Sequence, residues 1–191
     1  FGSLQPLWTG LRLMTVDPEL AQRWDLPADR GVVVVKVYPD SPAARAGFMA
    51  DDLIVNLQGK PVVAREDLTT ALYSVPEASR LEVDVRRGSE TLRLPLWAEY
   101  PEKGLGLLFV ERALGMTVAE DGGKVVVRRV FSASPAARKG LRVGDRVLAA
   151  NGQEITGAED LGRETMRAME RGSLFLVVQR GRYAYNISFP L

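Results

Sequence analysis

The chain has 191 residues, 46% of them apolar, and its 25 basic and 24 acidic side chains leave a net charge of +1 at neutral pH. That balance argues against nucleic acid as a partner, and no run of about 18 apolar residues exists to span a membrane. Histidine and cysteine are both absent, so Ser-His-Asp and Cys-His nucleophile systems, disulfides and the usual zinc sites cannot be assembled within this chain. No catalytic residue and no cofactor is expected. The chain starts at Phe1 rather than methionine, as a piece of a longer protein would.

Taken in order, Phe1 to Leu7 reads as a leader without a committed structure. Trp8 to Val16 reads as a loop running into a strand, with Leu11 and Leu13 on one side. Asp17 to Trp24 follows as a short capped helix whose Leu20 and Trp24 share a face. After the turn at Arg30-Gly31, the β-branched run Val32 to Val37 predicts a buried strand. Ser41-Pro42-Ala43-Ala44-Arg45 has an N-cap serine, a proline at the first helical position and helix-favouring alanines, and Gly47 stops it after little more than one turn. Leu53 to Leu57 is a strand, Arg65 to Val75 an amphipathic helix ended by Pro76, and Leu81 to Leu96 a hairpin turning at Arg87-Gly88-Ser89.

The same order then recurs. Ser134-Pro135-Ala136-Ala137 repeats Ser41-Pro42-Ala43-Ala44 at a distance of 93 residues, and the match runs on to Glu159-Asp160-Leu161 against Glu66-Asp67-Leu68. A period this long means two copies of a small domain rather than a solenoid. The polar stretch Glu99 to Gly104 is where the chain divides, giving a first domain at 1–99, a linker at 100–106 and a second domain at 107–191. The second copy is expected to open with a strand at 107–111, then a loop at Arg112-Ala113-Leu114-Gly115 and a strand over Met116 to Glu120. The run at Val125 answers that at Val32, Asn151-Gly152 marks a hairpin, and a helix follows over Ala158 to Met169. The helix near 17–24 has no counterpart in the second copy.

Ser41-Pro42-Ala43-Ala44 with Gly47 and Asp52, and Ser134-Pro135-Ala136-Ala137 with Gly140, Gly144 and Asp145, resemble the PDZ domain in its bacterial HtrA/Deg protease version, and the likeness covers nearly the whole chain, twice. Two departures stand out. Asp51 occupies a position where that family usually has glycine, and Thr9-Gly10-Leu11 matches the family's aliphatic-Gly-aliphatic loop less well than Leu114-Gly115-Met116. The implied fold is mostly β with short helices (α+β), two partly open β-barrels or sandwiches in tandem.

The resemblance implies that an edge strand in each copy accepts an extended peptide as an added strand, while backbone N–H groups of the preceding loop meet its terminal carboxylate. A charge-assisted hydrogen bond of that kind is worth roughly 1.5–3 kcal/mol. The loop residues would be Trp8, Thr9, Gly10 and Leu11 in the first copy and Ala113, Leu114, Gly115 and Met116 in the second. Gly104 to Leu107 forms a rival loop one element earlier, and the spacing of Gly115 to Val125 favours Gly115. The groove would be walled by Leu11, Leu13, Leu68, Thr69 and Leu72 in the first copy, and by Met116, Val118, Leu161, Thr165 and Met166 in the second. The implied partners are protein C-termini or extended peptides, a serine protease domain in the same chain and homo-oligomer contacts, in the bacterial periplasm or cell envelope. In that family the first PDZ domain captures hydrophobic C-termini and the second helps to assemble the oligomer. A docking or assembly scaffold with one or both grooves blocked is the alternative.

Overall fold

The computed structural model describes residues 7–23 and 30–191, so the expectations for Phe1 to Pro6 and for Trp24 lie outside the described residues. The chain forms two compact units, Phe1–Pro101 and Glu102–Leu191. Unit 1 runs β1 (Leu11–Val16), α1 (Pro18–Arg23), β2 (Gly31–Val37), α2 (Pro42–Arg45), β3 (Leu53–Leu57), β4 (Lys60–Pro61), α3 (Arg65–Ser74), β5 (Ser79–Arg87) and β6 (Glu90–Ala98). Its sheet has the order β1-β2-β3-β5-β6, with β4 added to β3. Unit 2 runs α4 (Leu105–Phe109), a π-helical turn (Val110–Leu114), β7 (Met116–Asp121), β8 (Lys124–Val130), α5 (Pro135–Arg138), β9 (Arg146–Ala150), β10 (Gln153–Glu154), α6 (Ala158–Arg171), β11 (Ser173–Arg180) and β12 (Tyr183–Pro190). The order β7-β8-β9-β11-β12, with β10 on β9, repeats that of unit 1. Among the described residues no helix is long and apolar enough to cross a membrane.

The repeated turn folds for local reasons. Ser41 Oγ accepts the N–H of Ala44 at 3.1 Å and Ser134 Oγ that of Ala137 at 3.1 Å, so each four-residue helix is capped by its own serine and opened by its proline. Asp51, standing where unit 2 has Gly144, takes φ +70° against +91° for the glycine. Aspartate tolerates this region better than most residues. Asn151-Gly152 turns with both φ values positive, 51° and 82°, as a two-residue hairpin loop requires.

Each unit has its own core. Val32, Val34, Ile54, Val83, Val85 and Leu96 close around Leu68 in unit 1. Val125, Val127, Val147, Leu174, Leu176 and Phe189 do so around Leu161 in unit 2. Val33 and Leu53 face the other way, where they pack with Val16 and with Ala21 of α1. Helix α1 thus covers the second face of the unit 1 sheet, and β7 turns directly into β8 at Gly122-Gly123 in unit 2.

The start of unit 2 corrects the sequence expectation. Residues 107–111 are helical rather than a strand, and Arg112 to Leu114 continue that helix rather than forming a loop. Gly106, Phe109, Val110 and Leu114 are the buried positions, a helical stripe spaced i, i+3, i+4, i+8. A short apolar run does not separate helix from strand by periodicity. The alternative loop at Gly104 to Leu107 is the first turn of α4.

Candidate peptide-binding grooves

In both units a glycine leads into the edge strand and leans on the capping serine. Gly10 has φ +78° and Gly115 φ +73°, a region costly for any other residue. A Cβ on Gly10 would fall 2.0 Å from Ser41 Cβ, and one on Gly115 would fall 2.2 Å from Ser134 Cβ. Gly10 O accepts the N–H of Tyr38 at 2.9 Å and Gly115 O that of Phe131 at 2.8 Å. The repeated Ser-Pro-Ala-Ala turn is therefore the buttress against which each loop is set.

The edge strands share further detail. β1 pairs only with β2, and β7 only with β8, so among the described residues the outer margin of each carries no strand. Each has a bulge after its second residue, between Arg12 and Leu13 and between Thr117 and Val118. A side chain near the far end of each strand ties down the neighbouring helix. Thr15 Oγ1 accepts the N–H of Arg65 at 3.0 Å, and Glu120 Oε1 accepts that of Ala158 at 2.7 Å. Both bonds satisfy an N–H of the first helical turn that has no partner within the helix.

The grooves differ in what fills them. In unit 1, Leu11 and Leu68 are buried in the core, Leu13 and Leu72 are half-buried at its margin, and Thr69 is exposed. In unit 2, Met116, Leu161 and Thr165 have 0% exposure, Met166 is buried, and Val118 is half-buried. The covering element is α4, which packs against α6 through a contact of Gly106 with Gly162. The loops differ in the same sense. Gly115 N–H is spent on Glu111 O at 2.9 Å, whereas Gly10 N–H has no backbone acceptor among the described residues. Trp8 and Thr9 are buried, Trp8 N–H donating to Glu99 O at 2.8 Å and Thr9 O accepting from Ala43 at 3.0 Å, so neither residue lies open at a loop tip. In the second loop Ala113 is half-buried and Leu114 fully buried in the π-helical turn.

Sequence reading missed two ion pairs that hold the frame. Arg87 donates to both carboxylate oxygens of Asp52 at 2.6 and 2.7 Å and to Gly47 O at 2.8 Å. Arg180 makes the same three bonds to Asp145, at 2.7 and 2.8 Å, and to Gly140 O at 2.8 Å. The aspartates have side-chain exposures of 0% and 1%, the arginines 31% and 35%. Arg87 is therefore not the surface charge that its place at a strand end suggests. Burial alone would push the Asp145 carboxyl up, but the Arg180 guanidinium and the Arg142 N–H together hold it below the usual carboxylate range. The recurrence of both partners at a spacing of 93 was the signal available. Among the described residues, no group of three or more acidic side chains could hold a metal ion.

Two six-stranded open sheets, each with a margin that no described residue pairs, beside a helix and a glycine bend at its head, define a tandem of peptide-recognition-type domains. The chain belongs to the PDZ domain family, which it matches over residues 10–96 and 112–189. The tandem resembles that of the HtrA/Deg serine proteases. It is 31% identical, over 96% of its length and 43% of the relative's, to the probable periplasmic serine endoprotease DegP-like of Ectopseudomonas mendocina (strain ymp). It is 30% identical, over 95% of its length and 39% of the relative's, to the periplasmic serine endoprotease DegP of Escherichia coli (strain K12). The chain thus spans less than half the length of these relatives. A solved structure of the HtrA3 PDZ domain bound to a phage-derived ligand, FGRWV, aligns with 49% of this chain and 85% of its own, at 31% identity and a TM-score of 0.45.

Proposed function

We propose that unit 1 captures the free C-terminus of an extended protein segment as a strand added to β1. The observation that carries this reading is the coincidence, at one end of β1, of a strand margin and a Gly10 N–H that have no backbone partner among the described residues, beside the half-exposed Leu13 and Leu72. Main-chain pairing supplies affinity, the glycine N–H meets the terminal carboxylate, and the leucines favour an apolar last side chain. By the same reading the chain works in the periplasm, as the substrate-recognition and regulatory part of an HtrA/Deg-like serine protease. Its first domain ends near Glu99 and its second begins with α4.

The test is a titration of paired peptides that are identical except for a free or an amidated C-terminus, ending in valine, followed by residue-resolved NMR. The free-carboxylate member is expected to bind at least tenfold more tightly, with shifts confined to Trp8–Val16 and α3. Equal affinity of the two members would remove the capture mechanism. The filled groove of unit 2 favours a second reading for that domain, a docking or oligomer-assembly surface, which light scattering over a concentration series checks.

A further inference from the structure

We propose that α4 and the π-helical turn after it form a built-in plug, and that unit 2 is a second receptor for peptide C-termini held closed by its own chain. Gly106 lies so near Gly162 that a Cβ on it would fall 2.4 Å from the Gly162 carbonyl carbon and oxygen, and one on Gly162 would lie 3.1 Å from Leu107 N. Two facing glycines therefore let the backbones of α4 and α6 touch. Gly162 is the counterpart, 93 residues on, of Thr69, which is exposed on α3. Segment 105–114 thus sits on the helix face that no described residue covers at Thr69 in unit 1.

The same ten residues also hold the anchoring donor, because Gly115 N–H is bonded to Glu111 O. Pocket and donor are sequestered together, so one rearrangement releases both. The stretch is bracketed by left-handed glycines, Gly104 at φ 82° and Gly115 at φ 73°. Its first turn has no side-chain cap, and it passes into a π-helical turn, a rare geometry concentrated at functional sites. One turn along α6 from Gly162, the pocket residue Thr165 is fully buried, and its Oγ1 has no hydrogen-bond partner among the described residues. The closed state carries that penalty, and opening to water relieves it. Val110 and Leu114, packed into the core, make closure the resting state, from which a ligand selects the minor open form.

The inference shares with the reading of unit 1 the premise that an edge strand beside a helix takes an extended chain, so its test starts from Leu72→Glu, which spoils the first groove. Into that background goes Gly106→Ala, whose Cβ overlaps the Gly162 backbone and forces α4 from α6, or, separately, Gly162→Ala, a milder variant whose Cβ at 3.1 Å from Leu107 N asks only for a small shift of α4. A fluorescein-labelled octapeptide ending in valine is titrated with a free and with an amidated terminus, while hydrogen exchange is followed at 105–114 and in β9 and β11. Expected are faster exchange at 105–109, unchanged protection of β9 and β11, and a tenfold or greater gain in affinity for the free-carboxylate peptide alone, with NMR shifts on β7 and α6. Three results overturn the proposal: faster exchange with no gain in binding, unchanged exchange in both variants, or loss of β9 and β11 protection in both. Failure of the unit 1 reading looks different, as a wild-type chain with no carboxylate preference at β1.

Discussion

Units 1 and 2 share the capped turn, the buttressed glycine, the buried ion pair and the strand-to-helix tie, yet they present opposite grooves. What separates them is the stretch just ahead of the glycine. In unit 1, Trp8 bonds to Glu99 beyond the end of β6, and Thr69 on α3 is exposed. In unit 2 the corresponding residues wind into α4 and the π-helical turn and cover α6. A common frame can thus be switched between open and filled by a segment that is not part of the repeated pattern.

The shared frame is tested first, because the effect there is largest. Asp52→Ala in unit 1 and Asp145→Ala in unit 2 each remove the acceptor of three hydrogen bonds and strand an arginine. Each is expected to cost about 3 kcal/mol, at the low end for a broken buried pair because the guanidinium keeps about a third of its surface in water. Urea unfolding followed separately in each unit checks this, and unequal losses would mean that the frames are not equivalent. In unit 2 the effect has a pH signature. The Asp145 carboxyl is held below its usual range in the folded state, so its contribution is present above the unfolded value of about 3.9 and is lost as pH falls through the lower folded value. Asp145→Ala should flatten the acid limb of the stability curve over that window.

The glycine bends come next. Gly10→Ala and Gly115→Ala each place a methyl group 2.0–2.2 Å from a serine Cβ at φ values of 78° and 73°. The left-handed conformation alone costs about 1–2 kcal/mol, and the overlap adds to it. Both variants should lower stability by about 2 kcal/mol or more, while only Gly10→Ala should also weaken binding of free-carboxylate peptides. A binding loss from Gly115→Ala would mean that the second groove is already open.

The elements legible in sequence are those whose cause is local. The serine cap, the proline at the first helical position and the stopping glycine sit within seven residues of one another, so both short helices could be read directly. Alternation sufficed for the β5–β6 hairpin. The start of unit 2 was not legible as a helix, because Leu105 to Val110 is apolar almost throughout and its register shows only once Gly162 is opposite. The ion pairs join residues 35 apart, at a turn and at a strand end, where each charge by itself reads as solvated. Leu72 and Thr165, the groove candidates on α3 and α6, occupy equivalent positions, and nothing in either segment alone says that one is half-exposed and the other buried.

The smallest expected effect bears most directly on that last pair. Thr165 carries a hydroxyl with no exposed surface and no hydrogen-bond partner among the described residues, in the middle of α6. Replacing it with valine keeps the branched shape and removes only the polar atom. Threonine and valine have similar helix propensities, so the backbone contributes little to the difference. A buried polar group left unsatisfied costs about 1–3 kcal/mol, and the replacement should stabilise unit 2 by about 1 kcal/mol, near the lower figure because a methyl group fits the site less well than an evolved side chain. The matching change in unit 1, Leu72→Val, offers no such gain: Leu72 already packs on the core, and losing a methylene there should destabilise by about 1 kcal/mol. Opposite signs at equivalent positions, read from urea midpoints of the two units, are what a sealed and an open groove on one frame require. Destabilisation by Thr165→Val would mean that its hydroxyl has found a partner, and that the second pocket is hydrated rather than sealed.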